Sequence, residues 1–471
     1  DRAIRKLKPG KSDGSQRLYT NHLKLASRTL HSYLATAFTA LLTHGVIPPD
    51  FEASTLIPIP KCANKSLSNS ENYRAIAMSS VIGKVLDHVL LEAHARALST
   101  SELQFGFKPK HSTVTCNFAL NEVVQHYVSH GSNIFCLSLD ASKAFDRIQY
   151  VQLFRLLIRR GLCPLVLRFL VRLYTRQKVQ VRWDNAISLE YNISNGVKQG
   201  GVMSPVLFAV YLDELLLELK EVGLGCHMGG CYSGALAYAD DVCLLAPSRI
   251  CLKEMLQVVG KFAARYDVLF NASKSALVIF GHQDSDRVTP LEFMGQRIPS
   301  FTQTKHLGLM IGHGAVSENL NRAVTDLFKR TNCLRAQFGH VPWRVRLQLF
   351  RSFCLHLYGC ETWDLSSPAL RSFLIAYRKC VRHLLGLPYR THRALIAPIT
   401  SFPQIDDQIM NRISKFVYAI SNSSNQLVKF CAMSAISGSG SNISNSISVI
   451  SSHFNIPRNC FSLEIKKVFP S

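Results

Sequence analysis

The sequence predicts an α+β fold. Three observations predict it. Stretches with apolar residues at helical spacing alternate with short β-branched or apolar runs. Two pairs of those runs read as antiparallel hairpins. One apolar run ends abruptly in a single carboxylate.

The elements follow in order. Residues 17–47 place Leu23, Leu30, Leu34, Phe38, Leu41 and Leu42 at helical spacing, as one helix or two, and Pro48 and Pro49 close that element. Residues 54–60 alternate and carry β-branched side chains, so they predict a strand. The polar stretch 61–72 predicts a loop, and 82–98 a helix. Residues 134–139 are a short, mostly apolar run, read as a buried strand ending at Asp140. Residues 149–177 are helical. Residues 179–183 and 190–194 pair around a turn at Asp184 and Asn185. Ser204 suits a helix N-cap and Pro205 the first helical position, so a helix starts there and runs to about Lys220. Residues 235–246 are two apolar arms around Asp240 and Asp241, a hairpin with carboxylates at its tip. A helix over 251–266 and a strand over 275–280 follow. From about residue 316 the chain is mostly helical and basic. Residues 421–452 are rich in Ser and Asn and nearly free of charge, the composition of a loosely packed tail.

With 471 residues and 47% hydrophobic content, the chain can bury a sizeable core in roughly two to four domains. Lys and Arg number 54 against 31 Asp and Glu, a formal net charge of +23. Such an excess does not specify a fold, but it suits a polyanionic partner, because neutralising phosphates releases counterions. The 14 Cys are scattered without framework spacing, so they read as reduced thiols of an intracellular protein, nuclear and cytoplasmic. Cys226, His227 and Cys231 lack the spacing of a zinc site. The longest apolar run, from 206 to 219, is interrupted by Asp213, Glu214 and Glu218, so no membrane span is expected. The chain opens at Asp1 in a basic stretch, as expected of a piece of a longer polypeptide.

The chemistry lies in the acids. Asp140 ends one apolar strand, and Asp240 and Asp241 sit on a hairpin a hundred residues later. Carboxylates at the ends of buried strands are unfavourable unless something compensates them. Two divalent cations with oxygen ligands would do so, and two such ions clamp the attacking and leaving oxygens of a phosphoryl displacement.

Tyr238, Ala239, Asp240 and Asp241 form a Y-x-D-D box, and in it the sequence resembles the reverse transcriptases. Five further segments agree in order and spacing. Residues 137–146, with Asp140, Phe145 and Asp146, resemble the first palm motif. Residues 196–205, with Gln199, Gly200, Ser204 and Pro205, resemble the second. Residues 54–61 and 72–76 resemble the fingers motifs, and 104–113 the segment between fingers and palm. The K-A-F-D wording, Lys305 to Gly308, and the helical motif at 384–392 resemble non-LTR (LINE-type) retrotransposons. The resemblance covers roughly residues 5 to 400.

It implies a right-hand polymerase: fingers over 1–130, palm over 131–295, a helical thumb and connection over 296–400, and a partly disordered tail over 401–471. It implies an RNA-directed DNA polymerase that adds dNTPs to a primer 3′-hydroxyl on an RNA template, for target-primed retrotransposition. Asp140, Asp240 and Asp241 would bind two Mg²⁺ ions, with Mn²⁺ as a substitute. Phe145 would reject the 2′-hydroxyl, Gln199 and Gly200 would touch the incoming nucleotide, Lys61 and Arg74 would reach the triphosphate, and Lys274 would give a proton to pyrophosphate. Arg322, Lys329, Arg330, Arg344 and Arg346 would track the template–primer backbone. No endonuclease region is recognisable, so the chain is expected to extend primers without cutting target DNA. Gly201 stands where Cys is common and Ala75 where Pro is common, small departures expected to leave the metals alone. The alternatives are another palm-type enzyme (a maturase, a telomerase-like enzyme or an RNA-dependent RNA polymerase) and a decayed or domesticated element that only binds nucleic acid.

Overall fold

The computed structural model describes residues 1–12, 18–62, 66–142, 144–281 and 290–468. Lys143 of the first palm motif lies outside them. Two compact units emerge, one of residues 1–107, 140–221 and 257–271, the other of residues 108–139, 222–256 and 272–471.

The first unit is built on a mixed sheet ordered Tyr73–Met78, Ala53–Pro60, Lys178–Trp183, Ala186–Ile187, with Tyr191–Asn192 also on Lys178–Trp183. The outer pair is antiparallel, running from Thr55 opposite Met78 to Pro60 opposite Tyr73. Ala53–Pro60 and Lys178–Trp183 are parallel. The expected 17–47 helix is two, Thr20–Leu25 and Arg28–His44, the second ended by Gly45 in the left-handed conformation. The 149–177 region divides into Tyr150–Arg159 and Pro164–Thr175, because Gly161 (φ 73°) and Pro164 break it.

The helix Ser204–Val222 buries residues on nearly every side, including Leu207, Phe208, Tyr211, Leu212, Leu215 and Leu216. The carboxylates that interrupt its apolar run are all paired. Asp213 is 1% exposed, yet it accepts the Ser101 amide at 3.0 and 2.9 Å, the Ser101 hydroxyl at 2.6 Å, and Arg160 at 3.1 Å. Glu214 meets Arg159 and Arg160, and Glu218 meets Arg265. A buried carboxylate is tolerated only with its lone pairs satisfied in this way. Among the described residues no helix is long and apolar enough to cross a membrane.

The second unit holds a five-stranded sheet ordered Ser300–Phe301, Leu269–Phe280, Ile134–Ser142, Asp241–Ala246, Ala235–Tyr238. Two of its strands run on at one end into residues grouped with the first unit. The helix Thr113–Ser129 starts at Ser112, whose hydroxyl accepts the Thr115 amide at 3.1 Å. Lys305 to Gly308 proves to be a hairpin corner. Strands Gln303–His306 and Leu309–Gly312 meet at Leu307 and Gly308, both with positive φ, the geometry that two-residue hairpins favour. The Tyr358 hydroxyl locks that corner by donating to the Leu307 carbonyl at 2.6 Å. The 384–392 motif is a helix ending. Gly386 (φ 68°) follows Pro368–Leu385, and Arg382 Nε reaches forward to the Thr391 carbonyl at 3.0 Å.

The Ser-rich region departs from expectation. In place of a loose tail stand four helices, Ile405–Ser421, Gln426–Ser437, Asn442–Phe454 and Phe461–Val468. Ile443, Ile447 and Ile450 bury one stripe of the third. Ser441, Ser444, Ser446 and Ser451 are buried, and several of the region's serines bond inside. Ser446 donates to the Trp363 carbonyl at 2.7 Å and accepts the Leu365 amide at 2.9 Å. Ser439 donates to Glu122 at 3.2 Å, a carboxyl that burial pushes up to about 7. Arg458 gathers the helix ends, donating to the carbonyls of Ala435, Ile436 and Ser444 and to the Ser444 hydroxyl. Low charge here therefore reflects buried polar packing.

Removing that guanidinium leaves several carbonyls unpartnered. Arg458→Ala is expected to lower unfolding stability by about 1–3 kcal/mol and to open residues 436–456 to protease. Urea denaturation with limited proteolysis of the full chain checks this; an unchanged midpoint would mean the serine helices hold without Arg458.

Candidate active site

Ile134, Cys136, Leu137 and Leu139 are fully buried along the strand Ile134–Ser142, and Asp140, half-buried, follows them. The hairpin arms Ala235–Tyr238 and Asp241–Ala246 are buried almost throughout. They pair with Asp241 opposite Tyr238 and Cys243 opposite Leu236, as the alternation predicts. This leaves a two-residue turn, Ala239 and Asp240. Ala239 takes a positive φ of 59°, a conformation that favours glycine, so the turn is held against local preference. Asp240 is half-buried and Asp241 exposed.

The strand that Asp241 begins lies directly beside the strand that carries Asp140. The sulfurs of Cys136 and Cys243, 3.3 Å apart, mark how closely the two pack. Burial, with Cys116 and Tyr358 nearby, pushes the Tyr238 phenol above its ordinary range, so it stays neutral at physiological pH. Among the described residues no cluster of three or more His, Cys, Asp or Glu forms a ready-made metal cage. The acids themselves are hard oxygen donors. They suit Mg²⁺, which commonly takes one or two carboxylates and completes its shell with water and substrate phosphate.

The second palm motif is a loop of the first unit, and two segments hold its backbone. The Val197 amide donates to the Phe145 carbonyl at 2.8 Å, and the Gly196 amide to the Ile148 carbonyl at 2.8 Å. The Gln199 carbonyl accepts the Ala77 amide at 2.7 Å. Gly196 (φ 83°) is obligatory here, because a Cβ would lie 2.8 Å from the Asp146 carbonyl oxygen. A Cβ at Gly200 (φ 107°) would come within 3.1 Å of the Ala77 oxygen. At Gly201 a Cβ would sit 2.7 Å from the Ser204 hydroxyl, so glycine in place of the commoner Cys is matched to its neighbour. Ala75, facing Pro58 on the outermost strand, occupies a position where proline and alanine are both tolerated.

Phe145 lies in the turn Ala144–Arg147, half-buried and stacked on Phe208 with centroids 4.6 Å apart. Gln199 is half-buried and Gly200 exposed. Arg74 is exposed on the outer strand, opposite Ile59. Lys61 is tied down, its Nζ donating to the Glu71 carbonyl at 2.8 Å and its amide to the Asn72 carbonyl at 2.8 Å, so it staples the 61–72 loop. Lys274 is exposed within the long strand Leu269–Phe280, which begins earlier than expected.

The basic residues divide. Arg322, Lys329 and Arg330 line a groove of about 700 Å³ with Lys305, Glu318 and Asp326. Arg344 lies over the Trp343 ring instead, and neither Arg344 nor Arg346 lines that groove.

One pair escaped the sequence reading. Asp87 lies half-buried on the helix Val81–Ala93, and Lys198 on the glycine loop. Burial pushes the Asp87 carboxyl up to about 6, against the pull of Lys198 and Lys84. Burial brings Lys198 down to about 8, with Asp87 and Glu52 opposing; its Nζ donates to the Phe51 carbonyl at 3.2 Å. The helix starts at Ser204 with Met203 in the cap position, the Met203 carbonyl accepting the Val206 and Leu207 amides at 3.0 Å. The available signal was an acid beside the buried stripe Val81, Val85, Leu86 and Leu90.

Comparisons with known proteins follow the same residues. The RNA-directed DNA polymerase from mobile element jockey of Drosophila melanogaster is 23% identical over 92% of this chain and 48% of its own length. The Pol polyprotein of a type-1 retrotransposable element R2 from Popillia japonica is 28% identical over 74% of this chain and 50% of its own. The chain thus spans about half the length of the curated relatives it matches. Among solved structures, apo telomerase from Candida tropicalis aligns over 97% of this chain and 77% of that one, at 11% identity and a TM-score of 0.45. A family model for reverse transcriptase (RNA-dependent DNA polymerase) matches residues 59–298, the span that contains both carboxylate strands and the glycine loop. The chain belongs to the reverse transcriptase family.

Proposed function

We propose that this chain is the polymerase part of a non-LTR retrotransposon protein, extending a primer 3′-hydroxyl with dNTPs on an RNA template. One observation carries the reading: an acid follows the buried core of one strand, and two more sit at the tip of a hairpin whose second arm is the neighbouring strand. Rigid buried strands hold such groups better than loops would.

In this reading Asp140, Asp240 and Asp241 would hold two Mg²⁺ ions, or Mn²⁺ in their place, which would supply the charge that acidifies the primer hydroxyl and stabilises the leaving pyrophosphate. The protein's own work is positioning and charge. Phe145, steadied by Phe208, would exclude a 2′-hydroxyl by its bulk. Gln199 and Gly200 offer backbone that can approach the nucleotide closely, since no side chain intervenes at Gly200. Arg74, exposed on its strand, reaches the triphosphate; Lys61 would first have to leave the Glu71 carbonyl. Lys274 is the proton donor to pyrophosphate, and the 305–330 groove carries template–primer phosphate. Residues 1–130 serve as fingers, 131–295 as palm and 296–400 as thumb. The protein works in the nucleus and cytoplasm on RNA template and DNA primer.

Primer extension on an RNA template with dNTPs and Mg²⁺ tests this. The wild type extends, and Asp240→Ala loses more than about 100-fold of the rate, with RNA binding and melting temperature nearly unchanged. Parallel loss of folding in that variant would undercut the metal-ligand role. No extension by the wild type, with tight salt-dependent RNA binding, would favour a protein that only binds nucleic acid. Phe145→Ala is expected to lower dNTP-over-NTP discrimination at least about tenfold; unchanged discrimination in single-nucleotide incorporation would remove the gate.

A further inference from the structure

The helix Arg249–Tyr266 ends in a turn of a kind that selects glycine. The Val268 amide donates back to the Ala263 carbonyl at 3.1 Å, and Asp267 takes a φ of 52°. Glycine adopts that conformation freely and is the usual residue at such a helix ending, so the backbone gives no reason for an aspartate. An aspartate kept there against local preference directs attention to its side chain.

That side chain has two partners, both on the segment that follows Phe145. Arg147 Nη2 donates to the Asp267 carboxylate, and Arg147 Nε to the Asp267 carbonyl at 3.2 Å. Gln149 Nε2 donates to the other carboxylate oxygen at 2.7 Å. Tyr211 adds to the join, its hydroxyl donating to the Tyr266 carbonyl at 2.6 Å and accepting the Gln149 amide at 3.3 Å. The Arg147 guanidinium, helped by Gln149, holds the Asp267 carboxyl below its ordinary range against desolvation, so it is charged at neutral pH.

Arg147 and Asp267 are 33% and 38% exposed. An ion pair that open adds little to stability, and the positive φ works against it. Its effect is on position. The glycine loop already bonds the Phe145 and Ile148 carbonyls through the Val197 and Gly196 amides. Phe145 is thus tied at its own carbonyl by the loop and two residues further on by Asp267, with its ring stacked on Phe208. A wall that rejects a single hydroxyl works only when it is held to a fraction of an ångström.

We propose that Asp267 is a positioning residue for sugar selection: through Arg147 and Gln149 it fixes the Ala144–Arg147 turn, and so holds the Phe145 ring where it excludes a 2′-hydroxyl. This rests on the polymerase reading and on Phe145 as its gate, and adds the group that sets the gate. Asp267 itself touches no substrate.

Asp267→Gly is the informative variant, because it removes the carboxylate while suiting the backbone. It is compared with wild type, Asp267→Asn, Phe145→Ala and the double variant of Asp267→Gly with Phe145→Ala. Single-nucleotide incorporation on an RNA template gives kcat/KM for a dNTP and for the matching NTP. Asp267→Gly lowers the dNTP-over-NTP ratio at least about fivefold, chiefly through better use of the NTP. Asp267→Asn tolerates the positive φ and keeps an acceptor for one of the two partners, so it lowers the ratio less. Asp267→Gly melts no lower than wild type. In the double variant the ratio equals that of Phe145→Ala alone, because both changes act through one ring. Independently of activity, hydrogen exchange in peptides covering 144–150 runs at least about fivefold faster in Asp267→Gly.

A wild-type ratio in Asp267→Gly, with that of Phe145→Ala lowered, overturns the proposal and leaves the gate standing. Additive losses in the double variant, or unchanged exchange over 144–150, overturn it as well. An equal fall in dNTP and NTP use with a lower melting temperature makes Asp267 a structural member only. A wild-type ratio in Phe145→Ala removes the gate, and no extension by the wild type removes the polymerase reading; either one withdraws the sugar-selection role, whatever the exchange shows.

Discussion

Two backbone hydrogen bonds organise the first unit: the Val197 amide on the Phe145 carbonyl, and the Ala77 amide on the Gln199 carbonyl. They join three segments far apart in sequence. One is an outer strand, one the turn after Asp140, and one a glycine loop. Each bond uses groups every residue possesses, so the constraint falls on what the neighbouring side chains leave room for. Gly196 and Gly200 are the answer, since a Cβ at either would press on backbone. The stacking of Phe145 on Phe208 depends on the same join, because the turn that carries Phe145 is held from the loop side.

Charge burial follows from that compact centre. Asp213 is sealed in and needs Ser101 and Arg160 to be tolerated. Asp87 and Lys198 are less fully compensated, and each is displaced toward its neutral form by burial. Desolvation is acceptable at Asp213 because hydrogen bonding closes around it.

The acidic hairpin was legible because its alternation and its two acids are local, and the structure reproduces its arms and its turn. The Asp140 strand was legible for the same reason. The Ser-rich helices were not, because composition says nothing about whether a hydroxyl faces water or a buried carbonyl. Ser446, Ser444 and Arg458 settle that only once three helices meet. Ser204 was read as a cap from its preference, but the helix starts one residue earlier than that reading requires, with the Met203 carbonyl taking the first amides. Lys61 was read as reaching the triphosphate, and its bond to the Glu71 carbonyl is a partner that its position in sequence did not indicate.

Sequence alone determined the α+β class, the order of the motifs, the three acids and the family they point to. All of these rest on residue type and short-range spacing. Tertiary structure decided what no window of sequence contains: that the Ala77 amide bonds the carbonyl of a loop more than a hundred residues away, and that serine-rich segments pack inside. The reason is that burial and hydrogen-bond partnership belong to pairs of surfaces. A single stretch of chain carries only half of either.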